Sequence, residues 1–190
     1  MKLLEEKILN TGKCIGDDIL KVDMFLNHQL DVKLLDDIGE EINRIFAEDK
    51  PNKILTVEAS GIAIAVAASR AMGYLPVVFA KKTKPSTMID DSYCAEAISF
   101  TKGTSSILRV SKDFLNKDDR VLIIDDFLAK GEAGMALCDL VKQAGGTVVG
   151  FTAAIEKEHQ GGAERMRNIG IKVQSLAVIA EMRDGKITFK

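Results

Sequence analysis

Apolar residues along the 190-residue chain fall into two patterns, short unbroken runs and longer stretches with a 3.6-residue repeat. The helical repeat first appears from Leu3 to Leu9, and the region from Leu20 to Gln29 reads as irregular. Asp31 then stands as a cap before a helix that puts Leu34, Leu35, Ile38, Ile42, Ile45 and Phe46 on one face. Ile54 to Val57, Pro76 to Ala80 and Val121 to Ile124 have the continuous apolar character of buried strands, and Ile62 to Met72 that of a small-residue helix. Residues 83–93 are polar and turn-rich, and Tyr93 to Thr101 reads as a strand beyond them. A helix burying Leu137, Leu140, Val141 and Ala144 follows the Val121 strand. Thr147 to Ile155 and Val173 to Ile179 read as further strands, with a helix near Gly162 to Ile169 between them. Strands that alternate with helices predict an α/β fold, a mainly parallel twisted sheet flanked by helices on both faces. No linker-like shift in composition divides the chain, so residues 1–190 read as one domain with small N- and C-terminal appendages.

Composition narrows the classes. Hydrophobic residues make up 46% and charged residues 28%, the balance of a globular chain. A chain of this length can bury roughly 70% of the surface that its unfolded form exposes, so it needs no disulfide or metal staple. Apolar stretches such as Ile62 to Ala68 fall far short of the ~20 residues of a membrane span. The opening Met1-Lys-Leu-Leu-Glu-Glu6 lacks a signal peptide's apolar segment. Three widely spaced cysteines (Cys14, Cys94, Cys138) suggest neither a disulfide framework nor a CxxC site, and the expected location is cytoplasmic. Only His28 and His159 are available, so histidine-based zinc sites and Ser-His-Asp triads have little to work with. The formal charge of −2 advertises neither a nucleic-acid nor a membrane partner. Its distribution is uneven, because Arg70, Lys81, Lys82 and Lys84 lie between Glu58 and Asp90 with no acidic residue among them.

In an open α/β sheet the ligand binds beyond the carboxyl ends of the strands. The segment Val121-Leu-Ile-Ile-Asp-Asp-Phe-Leu-Ala-Lys-Gly-Glu-Ala-Gly134 holds the most informative chemistry there. An apolar strand runs into Asp125 and Asp126, and small residues (Ala129, Gly131, Ala133) then open a helix whose free N–H groups suit a phosphate. Carboxylates beside a phosphate site conflict unless sugar hydroxyls or Mg²⁺ intervene, and a ribose 5-phosphate satisfies both halves. Acidic pairs also follow strands in phosphoacceptor receiver domains, but there they close the first strand. A plain solvated loop is the other alternative. Neither GxxxxGKS/T nor GxGxxG occurs.

This segment resembles the PRPP-binding motif of the type I phosphoribosyltransferases. Lys21-Val-Asp-Met-Phe-Leu-Asn-His-Gln29, Glu58-Ala-Ser-Gly-Ile62, Pro76-Val-Val-Phe-Ala-Lys81, Ser99-Phe-Thr-Lys102 and Ile155-Glu-Lys157 look like segments of that family's xanthine-using bacterial members. The likeness runs in order from about residue 1 to residue 190. One departure stands in the phosphate loop. Many members place Thr or Ser hydroxyls where this chain has Ala129, Lys130, Glu132 and Ala133, which leaves the anchoring to backbone N–H groups with help from Lys130.

The resemblance implies transfer of ribose 5-phosphate from PRPP to xanthine, giving XMP and pyrophosphate in purine salvage. It further implies Mg²⁺ held mainly by substrate, with no dedicated protein cage, and a homodimer that binds neither nucleic acid nor membrane. Asp125 and Asp126 would be the catalytic acids, with Asp126 preferred as the proton acceptor. Ala129, Lys130, Gly131, Glu132 and Ala133 would bind the phosphate of PRPP. Glu58, Ala59, Ser60 and Gly61, helped by Lys81 and Lys82, would form the pyrophosphate loop. Read from the residues alone, the first group is also an ordinary turn, and Lys81-Lys-Thr-Lys84 an ordinary solvated patch. Residues 85–92 would be a flexible lid over the substrates, with Ser99 to Lys102 returning from it. A hood formed by about residues 1–30 would bind the base through Leu20 and Asn27, together with Lys157. A lysine only donates, so it suits a purine carbonyl and not an adenine amino group, although an ion pair with Glu156 or Glu158 is an equal alternative. A hypoxanthine-guanine or adenine enzyme and a PRPP-sensing transcription regulator remain as rival expectations.

Overall fold

A computed structural model describes residues 1–83, 91–99 and 104–190. Lys84, most of the expected lid and Phe100 to Lys102 lie outside the described residues. The chain opens with α1 (Lys2–Thr11), whose Leu4 and Ile8 are buried. A hairpin of β1 (Lys13–Ile15) and β2 (Ile19–Lys21) follows, and the stretch from Leu20 to Gln29 expected to be irregular holds the end of β2 and one π-helical turn over Asp23–Asn27. Helix α2 (Val32–Phe46) begins where the sequence places it, because Asp31 Oδ1 accepts the Leu34 N–H at 3.1 Å. The other oxygen of Asp31 accepts from Lys7 Nζ at 2.7 Å, which ties α1 to α2 and holds this carboxyl below its ordinary pKa.

From there strands and helices alternate: β3 (Lys53–Val57), α3 (Gly61–Ala71) and β4 (Val77–Ala80). A hairpin of β5 (Ser92–Ser99) and β6 (Thr104–Ser111) stands off the main sheet. The remainder comprises β7 (Arg120–Leu128), α4 (Glu132–Gln143), β8 (Thr147–Lys157), α5 (Gly162–Asn168), β9 (Ala177–Arg183) and β10 (Lys186–Phe189). The six-stranded sheet has the order β10-β9-β8-β7-β3-β4, parallel except for the antiparallel β9–β10 edge pair.

Two cores cover its faces. Ile54, Leu122 and Ile124 pack with α1, α2 and α3, while Leu55, Val121 and Ile123 pack with α4 and with Leu108 and Val110 of β6. Successive residues of one strand thus enter opposite cores, as the pleat requires. The small residues of α3 allow a close helix pair. A side chain on Gly39 of α2 would meet the Ala67 carbonyl oxygen at 2.5 Å.

Strands β7 and β9 depart most from their expected limits, and β6 and β10 lie outside the expected strands. Val173 touches β8 only through a bridge to Phe151, and the ladder of β9 begins at Ala177. Strand β7 does not stop at Ile124. Its partner β8 continues alongside, pairing Asp125 with Ala153, Phe127 with Ile155 and Leu128 with Glu156, so the acids sit within a strand. On the other flank β3 leaves β7 after Leu55 pairs with Ile123. Chain order also reverses there, since β4 flanks β3 on one side and β7 on the other. This is the switch point where a doubly wound sheet opens a crevice.

Candidate active site

Asp125 and Asp126 stand at the floor of that crevice, beyond the last β3–β7 pair. Asp125 is buried, and its Oδ1 accepts the backbone N–H of Asp126 at 2.9 Å. Burial pushes the Asp125 carboxyl well above the usual carboxylate range. The negative charge of Asp126 adds to this, and Lys82 pulls weakly the other way. Asp126 is only half-buried and forms the accessible half of the pair.

The loop expected to take the phosphate follows directly. Gly131 takes φ 81° and caps α4, a conformation that costs a side-chain-bearing residue about 1 kcal/mol or more. Its outer side is held by α5. The Ala129 carbonyl accepts the Gly162 N–H at 3.0 Å, and the Lys130 carbonyl accepts Arg165 Nη1 at 2.7 Å. A trans peptide turns each N–H opposite to the carbonyl it shares a plane with. The amides of Lys130 and Gly131 are therefore directed away from those bonds, and among the described residues they have no backbone acceptor. Ala129, Lys130, Glu132 and Ala133 are half-buried around them. Glu132 adds a buried Oε1 with no hydrogen-bond partner among the described residues.

Across the crevice, Glu58-Ala59-Ser60 turns from β3 into α3 with a cis Glu58–Ala59 peptide. The Ala59 and Ser60 amides have no backbone acceptor among the described residues. Gly61 is required by packing, since a Cβ there would stand 2.1 Å from Thr56 Oγ1 and 3.4 Å from Asp125 Oδ1. The absence of a side chain brings the start of α3 against the acidic pair. Glu58 turns its carboxylate to the neighbouring strand, where Oε1 accepts the Lys82 N–H at 2.7 Å and fixes the lysine segment beside the turn. Lys81 is anchored by reciprocal 2.9 Å backbone bonds to Arg109.

Lys157 ends β8 at the same edge of the sheet. Its Nζ donates to the Asp18 carbonyl at 2.5 Å and lies 5.7 Å from the centre of the Phe127 ring. Burial lowers its pKa below the ordinary lysine value, and the charge of Asp18 opposes that shift. Of the two expected ion-pair partners, Glu158 binds Lys190 at 2.5 Å, and Glu156 Oε2 is buried with no partner among the described residues. Leu20 is 6% exposed and packs into the core beneath the hood hairpin, while Asn27 is exposed at the end of the π-helical turn. The structure thus joins Lys157 to the β1–β2 turn through Asp18, and Leu20 and Asn27 follow on the same segment.

Four contributors were not singled out from the sequence. Phe127 directly follows the acids, and the Gly161-Gly162 pair is a legible signal of close backbone approach. The contacts of Arg165 and Asp18 arise from tertiary packing alone.

The phosphoribosyl transferase domain family matches residues 21–180. The chain is 50% identical over 190 residues to the xanthine phosphoribosyltransferase of Clostridium novyi, covering 100% of both chains. It is 49% identical over 189 residues to that of Bacillus cytotoxicus, covering 100% of this chain and 95% of the relative. The crystal structure of adenine phosphoribosyltransferase from Rhodothermus marinus superposes with a TM-score of 0.76 at 20% identity, covering 94% of this chain and 100% of that one, a likeness of fold. The acidic pair, its amide-lined loop and the comparisons agree, and the chain belongs to the phosphoribosyl transferase domain family.

Proposed function

We infer that the protein is a xanthine phosphoribosyltransferase, which forms XMP and pyrophosphate from xanthine and PRPP. One observation carries the reading. The carboxylates of Asp125 and Asp126 and two sets of amides with no backbone acceptor among the described residues flank the split between β3 and β7. The choice of base follows from full-length similarity to relatives named for xanthine, and from a lysine donor at the same sheet edge.

In this reading the 5-phosphate of PRPP sits on the amides of Ala129 to Ala133, and the hydroxyls of its ribose donate to Asp126 and Asp125. Pyrophosphate lies on the Ala59–Gly61 turn, with Lys81 and Lys82 beside it. The ribose C1–O bond breaks with its electron pair leaving on pyrophosphate. The purine nitrogen supplies the pair for the new C–N bond, and its proton passes to Asp126. Positive charge on the ribose is met by the carboxylates, and negative charge on the leaving group by the lysines and amides. Such preorganised charges supply most of the rate in reactions without a protein nucleophile.

Among the described residues no group of three or more His, Cys, Asp and Glu side chains gathers as a metal cage. One or two carboxylates suit Mg²⁺ that arrives with a polyphosphate. Substrate oxygens would hold most of the ion, with at most one of Asp125 and Asp126 adding to them, and it would neutralise the departing pyrophosphate.

Leu20, Asn27 and Lys157 form the base site, with Phe127 beneath the lysine. The first 30 or so residues of a single 1–190 catalytic domain act as its hood. No helix among the described residues is long and apolar enough to cross a membrane, and we place the enzyme in the cytoplasm as a homodimer. The test is pyrophosphate release from PRPP and xanthine with and without Mg²⁺. Turnover dependent on all three is expected, and binding of PRPP without turnover would overturn the reading.

A further inference from the structure

We propose that the turn Gly16-Asp17-Asp18 of the hood hairpin is a positioning device for Lys157. The Asp18 carbonyl fixes the ammonium, and the Asp17 carboxylate fixes the turn by accepting the Asp184 N–H. The proposal rests on the reading of Lys157 as the purine-binding donor.

The side chain of Lys157 is long and only half-buried, so its ammonium needs an anchor to meet a purine carbonyl at one point. Its acidic neighbours do not supply one, since Glu158 is engaged by Lys190 and Glu156 does not pair with it. The Asp18 carbonyl accepts from Nζ at 2.5 Å, and the Phe127 ring lies on another side at 5.7 Å. An ammonium carries three protons, and this carbonyl takes one of them. The arrangement holds a charged donor still with protons to spare for a ligand oxygen.

Beyond the Ile15–Ile19 pair that closes its own hairpin, packing does not hold Asp18. Gly16, Asp17 and Asp18 are all exposed, and a side chain on Gly16 would find nothing within 4 Å. The turn is instead bound to the β9–β10 turn, where Asp17 Oδ1 accepts the backbone N–H of Asp184 at 3.1 Å. One surface carboxylate therefore sets the place of a carbonyl, and that carbonyl sets the place of the base-binding lysine. Asp17 is a positioning residue that touches no substrate.

The test compares steady-state kinetics of Asp17→Ala, Asp17→Asn, Lys157→Met and the double variant Asp17→Ala with Lys157→Met. Loss of one exposed hydrogen bond should raise KM for xanthine about fivefold in Asp17→Ala, leaving kcat and KM for PRPP within about twofold. The amide oxygen of Asp17→Asn still accepts from Asp184, so this variant should behave as wild type. In the Lys157→Met background Asp17→Ala should add nothing, because the two residues act in series. An unchanged KM for xanthine in Asp17→Ala, an equal rise in KM for PRPP, or a full effect in the Lys157→Met background would overturn the proposal. So would an Asp17→Asn variant as impaired as Asp17→Ala, which would trace the effect to charge. If Lys157→Met leaves KM for xanthine unchanged, the base-site reading itself has failed. A loss seen only in Lys157→Met would sink the role of Asp17 alone.

Discussion

Gly162 donates its N–H to the Ala129 carbonyl at 3.0 Å, and a side chain on Gly162 would stand 2.3 Å from that same oxygen. The same Cβ would lie 2.7 Å from the Gly131 nitrogen, so α5 supports the Ala129–Ala133 loop only because this position is bare. A methyl group cannot be absorbed by a flexible neighbour there, since both contacts are backbone.

Gly162→Ala should therefore displace the loop. Overpacking of this kind costs about 1–3 kcal/mol, which corresponds to a fall in Tm of roughly 2–12 °C for a chain of this size. We expect KM for PRPP to rise about tenfold, in line with the lower part of that cost. Gly161→Ala is the control, because φ there is 76° and a side chain would meet nothing within 4 Å. It should lower Tm while leaving KM for PRPP near the wild-type value. Equal kinetic effects of the two variants would mean that α5 merely stabilises the fold.

Asp126→Asn removes the accessible charge of the acidic pair without changing its size. Loss of a charge-stabilising group in an active site typically reduces kcat by about 10²–10³. Because Asp126 is half-buried and an asparagine oxygen can still meet the Asp125 carboxyl, Tm should stay within about 2 °C. Kinetics and a thermal melt on the same preparation check both halves. A variant that keeps its kcat would remove Asp126 from the reaction.

The buried partner behaves differently. The native carboxyl of Asp125 binds its proton more tightly than the unfolded one, whose pKa is roughly 4. Its contribution to stability is present below that value and is lost as pH rises through the raised native one. Asp125→Asn cannot ionise, so its Tm should gain on wild type progressively across this interval and level off above it. Melts of both proteins from acid to neutral pH test the sign. A constant difference would show an ordinary carboxylate at this position.

The parts of this architecture governed by local pattern can be read from the sequence. Helix α2 is marked by a 3.6-residue apolar repeat and by Asp31 as its cap, and both hold. The buried strands appear as apolar runs because both faces of the sheet are covered. Short alternating strands leave a weaker trace. β1, β2 and β10 span only three or four residues, although Asp184-Gly185 between β9 and β10 is a recognisable hairpin signal. Two aspartates after Ile124 look like a strand end by propensity, yet the β8 ladder carries β7 on to Leu128.

Within the site, Asp125, Asp126 and the Ala129–Ala133 loop are legible because they are contiguous. Gly162, Arg165 and Asp18 reach the site from distant segments, and no spacing rule connects them to Gly131 or Lys157. The charge of Lys81 and Lys82 was legible as an acid-free basic segment. Their fixation by Arg109 and Glu58 was not, because β6 and β3 bring those partners from elsewhere in the chain.

The most direct measurement is an internal competition. Equal concentrations of xanthine, hypoxanthine, guanine and adenine are supplied with limiting PRPP and Mg²⁺, and the nucleotides formed are separated by mass. Product ratios then report relative kcat/KM without any assumption about saturation. XMP should exceed each of the others by about tenfold or more, the discrimination that one well-placed polar contact supplies. A mixture dominated by AMP, GMP or IMP, or the absence of any nucleotide, would contradict the assignment of this crevice to xanthine.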